Sequence, residues 1–152
     1  MNKFLKIIIS IFSVLIVLMS TFFIYTSIYY HAEDYENLDN IKCYEFDKYN
    51  LYTQQENNEN LIIFYQGAKV EYQAYVPLIE LIASENIDVA LCKMPFNLAF
   101  FGMNYALDII NNYHYENVYI GGHSLGGAMS TMFAKDNNDK LNGVILLGSY
   151  AT

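Results

Sequence analysis

The sequence predicts an α/β fold, a mostly parallel sheet with crossover helices, preceded by one N-terminal transmembrane helix. Three observations carry that prediction. Residues 7–30 contain no Lys, Arg, Asp or Glu. Downstream, continuous apolar runs of strand length recur, and apolar residues at helical spacing lie between them.

The uncharged run would extend about 36 Å as a helix, against a hydrocarbon core of about 30 Å. A cleaved signal peptide is the competing reading, because Lys3 and Lys6 supply a positive leading region. Its apolar stretch, however, is typically only about 7 to 15 residues, and no small-residue cleavage pattern is present. Tyr25, Tyr29 and Tyr30 stand where an interfacial aromatic belt belongs, and Glu33, Asp34 and Glu36 follow. The expectation is an uncleaved anchor over 1–31, contacting the bilayer through residues 7–30. Lysines before it and acids after it orient the N-terminus to the cytoplasm, with the domain outside a cell membrane. Residues 32–40, polar and acidic, read as a linker, and 41–152 as the domain.

Within that domain, 41–46 and 51–54 read as short strands and 55–60 as a polar turn. Leu61-Ile62-Ile63-Phe64-Tyr65 is apolar throughout, as a strand buried on both faces should be. Val76, Ile79, Ile82 and Ala83 then repeat at helical spacing over 75–83, with Pro77 in a first turn. A second strand follows over 87–92, a helix over 104–112, a third strand around 118–120, a helix over 125–135 and a fourth strand over 143–148. Such alternation places functional groups at the C-terminal ends of parallel strands.

Composition excludes several functions. Beyond His31 there are six lysines, no arginine and 16 acids. An acidic domain without guanidinium groups is poorly suited to phosphate or guanine, so no nucleic-acid partner is expected. Cys43 and Cys92 form no C-x-x-C pair, and no histidine cluster has metal-ligand spacing, so no metal site is expected. The sequence leaves a Cys43–Cys92 disulfide open.

The chemistry-bearing motif is Gly122-His123-Ser124-Leu125-Gly126, between the strand core Val118-Tyr119-Ile120 and the small-residue helix start Gly126-Gly127-Ala128. A G-x-S-x-G string alone is weak. Placed between strand and helix, it perches a hydroxyl on a sharp turn, with Gly122 and Gly126 removing side chains where the two elements approach. Ser124 is then the candidate nucleophile for acyl transfer, and the Leu125 backbone N–H a donor to the developing oxyanion. A second donor is expected from the loop after the 61–65 strand, at the Ala68 N–H. The bland alternative, a glycine turn binding an anion at a helix N-terminus, lacks G-x-G-x-x-G or Gly-Lys-Ser/Thr spacing.

Four ordered blocks widen the motif into a resemblance. They are 63–71 (Ile-Phe-Tyr-Gln-Gly-Ala-Lys-Val-Glu), Tyr75-Val76-Pro77-Leu78, 93–99 (Lys-Met-Pro-Phe-Asn-Leu-Ala) and 120–129, which contains the serine. Over residues 61–150 the chain resembles the α/β-hydrolase superfamily, in particular its alpha/beta hydrolase fold-5 branch. The resemblance implies a partial α/β-hydrolase fold and a serine hydrolase acting on an ester or related acyl bond. It implies no metal or organic cofactor and does not specify the substrate. One departure is Gln66-Gly67-Ala68, where the branch tends to have Pro-Gly-Gly.

Relatives carry a catalytic acid and then a histidine in later segments, and neither position occurs before Thr152. His31 sits beside the span, His114 enters the serine strand from its far end, and His123 is expected to pack beside Ser124 rather than serve it. Asp136 and Asp139 belong to a helix end. The expectations are therefore an N-terminal part of a hydrolase with little turnover alone, and an apolar final strand with one edge unpaired. The alternatives are a non-catalytic, membrane-tethered binding module and a truncated remnant.

Overall fold

The computed structural model describes residues 2–55 and 58–151. Glu56 and Asn57 of the expected polar turn lie outside the described residues, as do Met1 and Thr152. Helix α1 covers Lys3–Ser27, and Asn2 caps it by accepting from the Phe4 N–H. Its apolar side chains are almost all exposed, so its stability is not drawn from a protein core. Length and composition alone make it a candidate membrane span. The helix stops three residues before the end of the apolar run, where Ile28 turns extended and Tyr30 bridges to Val70. There the Tyr30 N–H donates to the Lys69 carbonyl at 2.8 Å, and the Glu71 N–H to the Tyr30 carbonyl at 2.9 Å.

Strands β1 (Lys42–Glu45), β2 (Tyr49–Thr53), β3 (Asn60–Tyr65), β4 (Asp88–Cys92), β5 (Asn117–His123) and β6 (Gly143–Leu147) form one sheet, in the order β1-β2-β4-β3-β5-β6. The β4-β3-β5-β6 portion is parallel, and β2 and β1 add an antiparallel edge. Helices α2 (Val76–Ala83), α3 (Tyr105–Asn112) and α4 (Leu125–Asp136) make the connections. Period-two alternation splits the strand side chains between two cores. Leu61, Ile63, Tyr65, Val118 and Ile120 pack with Ile109 of α3 and Phe133 of α4, while Ile62, Phe64, Val89 and Leu91 pack with Ile79 of α2.

The segment after α1 lies along the domain. The Ala32 N–H donates to Glu71 Oε2 at 2.9 Å, and the Leu38 N–H to Glu80 Oε2 at 2.8 Å. Glu80, on α2, is buried, and this amide supplies the hydrogen bond that a buried carboxyl requires. At the other edge of the sheet β6 pairs, among the described residues, only with β5, and Val144 and Ile145 remain exposed.

Both cysteines are free thiols. Cys43 on β1 and Cys92 on β4 are separated by the whole of β2, two strand spacings or about 10 Å, which is beyond disulfide reach. Complete burial pushes the Cys92 thiol far above its ordinary range, and partial burial raises Cys43 less. Iodoacetamide at pH 8 is therefore expected to modify Cys43 slowly and Cys92 only after unfolding, as read by peptide mass spectrometry.

Candidate active site

Because β3 to β6 run parallel, their C-terminal ends share one end of the sheet. Ser124 lies there, in the single-residue turn between β5 and α4, with φ 51 and ψ −120. L residues rarely adopt this conformation, at a cost of order 1–3 kcal/mol, and it persists only where its surroundings enforce it. Here the Ser124 N–H donates to the Leu147 carbonyl at 3.0 Å. The Ser124 carbonyl accepts from the Ala128 N–H at 3.2 Å and from Ser149 Oγ at 2.6 Å. The main chain of the turn is thus pinned by β6 and α4, while the Ser124 side chain is exposed and its hydroxyl has no hydrogen-bond partner among the described residues.

The flanking glycines are required by proximity. A Cβ on Gly122 would lie 2.5 Å from the Tyr65 carbonyl oxygen, and one on Gly126 would run into the carbonyls of Tyr65 and Gln66. The first turn of α4 therefore rests directly on the end of β3. Leu125 opens that helix, where the first amides have no intrahelical acceptor. Neither the Leu125 N–H nor the Ala68 N–H is taken by an acceptor among the described residues. Gly67 links the two regions, since a Cβ there would lie 2.6 Å from Nδ1 of His123 and 3.4 Å from its carbonyl. The 66–68 turn accordingly packs on the residue preceding Ser124.

Gln66, which is completely buried, holds that turn in place. Its Nε2 donates to the Val70 carbonyl at 2.7 Å and to Asn97 Oδ1 at 2.9 Å, and its Oε1 accepts from the Met94 N–H at 3.2 Å. The Lys69 N–H adds a bond to the Asn97 carbonyl at 2.7 Å. The loop after β3 is thereby clamped to the loop after β4. Gln66→Leu keeps much of the volume but strands the partners of those bonds, at about 1–3 kcal/mol per buried unsatisfied group. A loss of about 3 kcal/mol is expected in denaturant unfolding; a loss below about 1 kcal/mol would mean that the clamp is dispensable.

His123 lies beside the turn with its Nδ1 3.0 Å from the Tyr75 hydroxyl, which accepts from the Gly67 N–H at 2.9 Å. Burial raises the Tyr75 pKa, partly offset by the Gly67 bond, so the phenol stays neutral. His114 precedes β5 at the far end of the sheet and His31 pairs with Glu71 at 3.6 Å. Asp136 ends α4, and Asp139 lies in the 3-10 turn that follows. Among the described residues no group of three or more His, Cys, Asp or Glu side chains has metal-binding geometry.

Residues 61–152 match the model of the alpha/beta hydrolase family. The chain belongs to that family. Solved hydrolase structures share its fold. A bacterial heroin esterase aligns with TM-score 0.57 and 12% identity over 74% of this chain and 45% of its own length. A monoacylglycerol lipase from Paleococcus ferrophilus gives 0.54 and 22% over 60% and 39%. The hormone-sensitive-lipase homologue EstE7 from a metagenome library gives 0.61 and 12% over 76% and 47%. The chain thus spans less than half the length of each of these structures. No curated protein matches it.

Sequence reasoning named Ser124, Leu125, Ala68, Gly122 and Gly126 but not Gln66, Tyr75, Asn97 or Ser149, which brace them. A polar glutamine directly after an apolar strand was the available signal for Gln66.

Proposed function

We propose that the chain is a membrane-anchored serine hydrolase of the α/β type, acting on an ester or related acyl bond, with Ser124 as nucleophile and the Leu125 and Ala68 N–H groups as its oxyanion hole. The observation that carries this reading is the strained turn at Ser124, which leaves its hydroxyl exposed at the start of a 12-residue helix. In the reaction, Ser124 Oγ bonds to the acyl carbon as the leaving oxygen departs. The serine proton passes to a base and on to the leaving group, and water then hydrolyses the acyl-serine.

No histidine or carboxylate hydrogen-bonds to the Ser124 hydroxyl among the described residues, so the proton must pass to solvent or to an added base. Loss of a general base costs several orders of magnitude, and the chain alone is expected to turn over esters barely above background. The anchor would be α1, 25 residues long and uncharged beyond Lys6, with Lys3 and Lys6 holding its N-terminus in the cytoplasm.

The test is labelling of the full chain in detergent with a fluorophosphonate probe, in buffer containing imidazole to accept the proton. Labelling at Ser124 that disappears in Ser124→Ala and on unfolding is the expected result. A folded chain that stays unlabelled favours the second reading, a non-catalytic tethered binding module. The outer edge of β6, unpaired among the described residues and carrying the exposed Val144 and Ile145, supports that alternative, because apolar sheet edges recruit partners.

A further inference from the structure

An aromatic cluster lies between α1 and the candidate active site. The loop after β4 carries Phe96, Phe100 and Phe101, all exposed by two-fifths or more despite their size. Phe96 has φ 57, which is unusual for a bulky side chain. The neighbouring Asn97 is bonded to Gln66 and Lys69, so this backbone is held by the same clamp that fixes the Ala68 turn. Phe96 and Phe101 meet the ring of Phe22 on α1 at centroid distances of 5.3 and 6.0 Å, and Phe96 also approaches Phe23 at 6.3 Å. Phe100 extends the cluster outward from Phe101 at 5.5 Å. The 3-10 turn Ala99–Phe101 packs on α4, the helix that Ser124 opens.

The level of this contact along α1 is informative. Phe22 and Phe23 precede Ser27 by four or five residues, about 6–8 Å of helix rise, so they occupy the outer turns of a membrane-length helix. Beyond them, Lys69 Nζ lies 4.1 Å from the ring centre of Tyr25. Lysine and tyrosine are each suited to the hydrocarbon boundary, where an apolar stem or ring can sit below a polar tip, and Lys69 directly follows Ala68. The exposed phenylalanines are thus continuous with the apolar helix at the depth where acyl chains begin.

We propose that Phe96, Phe100 and Phe101 form with the outer end of α1 a surface that enters the bilayer and holds the Ser124 end of the sheet at the lipid interface, so that the acyl substrate is a membrane-resident ester with a long chain. The substrate class rests on the nucleophile reading above; the membrane surface does not.

The chain has no tryptophan, so Phe100→Trp and Phe96→Trp each introduce a single indole. With the full chain in phosphatidylcholine vesicles, both indoles should be quenched by lipids brominated near the upper acyl chain. Both should also be at least fivefold less sensitive to iodide than the indole of His114→Trp, at the far end of the sheet. Iodide quenching equal to that of His114→Trp overturns the surface. For the substrate class, a hexadecyl fluorophosphonate should label Ser124 at least tenfold faster than an ethyl one in vesicles with imidazole, and Phe100→Asp should remove most of that advantage. Equal rates for the two probes, or an advantage that Phe100→Asp leaves intact, overturn the substrate class. Labelling by neither probe defeats the nucleophile reading and the substrate class together, while the indole quenching still decides the surface.

Discussion

Gly126→Ala is expected to cost at least about 3 kcal/mol and to leave the domain largely unfolded at 37 °C, because overpacking against fixed atoms exceeds the usual penalty for an added methyl. Two general effects point the other way. In a helix interior alanine is favoured over glycine by up to about 1 kcal/mol, and alanine also lowers the entropy of the unfolded chain. The contact decides the sign. The new Cβ would collide with the main-chain carbonyls of Tyr65 and Gln66, and Tyr65 is fixed by pairing with Gly122 in the middle of the sheet. Backbone in a central strand cannot rotate aside as a flexible side chain can. Gly143→Ala is the control, since its Cβ would meet only the ring of Tyr119, at 3.3 Å. Near-ultraviolet circular dichroism, with 14 of the 15 tyrosines outside α1, reports mainly the tertiary unfolding of the domain. A Gly126→Ala chain melting with the parent would mean that α4 does not rest on β3.

The legible parts of the fold were those written in local pattern. Leu61 and Ile63 face one core and Ile62 and Phe64 the other, so β3 had to be apolar at every position and stood out as such. Gly122 and Gly126 were legible because the close approach of α4 to β3 tolerates no side chain at either position. What escaped notice depends on contacts distant in sequence. The end of α1 is set by Tyr30 bridging to Val70, 40 positions away. The Gln66 clamp joins residues 28 to 31 positions apart, and no local periodicity encodes it. The docking of Phe22 on Phe96 and Phe101 was hidden for a related reason: an apolar residue within a membrane-length run carries no mark of which face meets protein.

Ser124→Cys in a Cys43→Ser background is expected to create a reactive thiol whose pKa lies about a unit below the usual 8.5, giving several times more thiolate at pH 7. The cause is local. The new sulfur would stand at the N-terminal end of α4, where unpaired amides and the helix dipole favour negative charge, and the exposed position imposes little desolvation. Cys92 gives the opposite case, its thiol held far up by complete burial, so it will not contribute to the signal. The pH dependence of iodoacetamide modification, with the unfolded chain as reference, measures the shift. A thiol at Ser124 with a pKa at or above the unfolded value would mean that the Leu125 amide points away from the side chain. The same variant separates nucleophile from base, because a thiolate needs no proton acceptor at the moment of attack. With p-nitrophenyl acetate it should give a burst of nitrophenolate equal to the protein present and then stall, since release of the acyl group requires an activated water. If the burst is followed by sustained turnover that Ser124→Ala lacks, some group in this chain activates water, and the premise of a missing base fails.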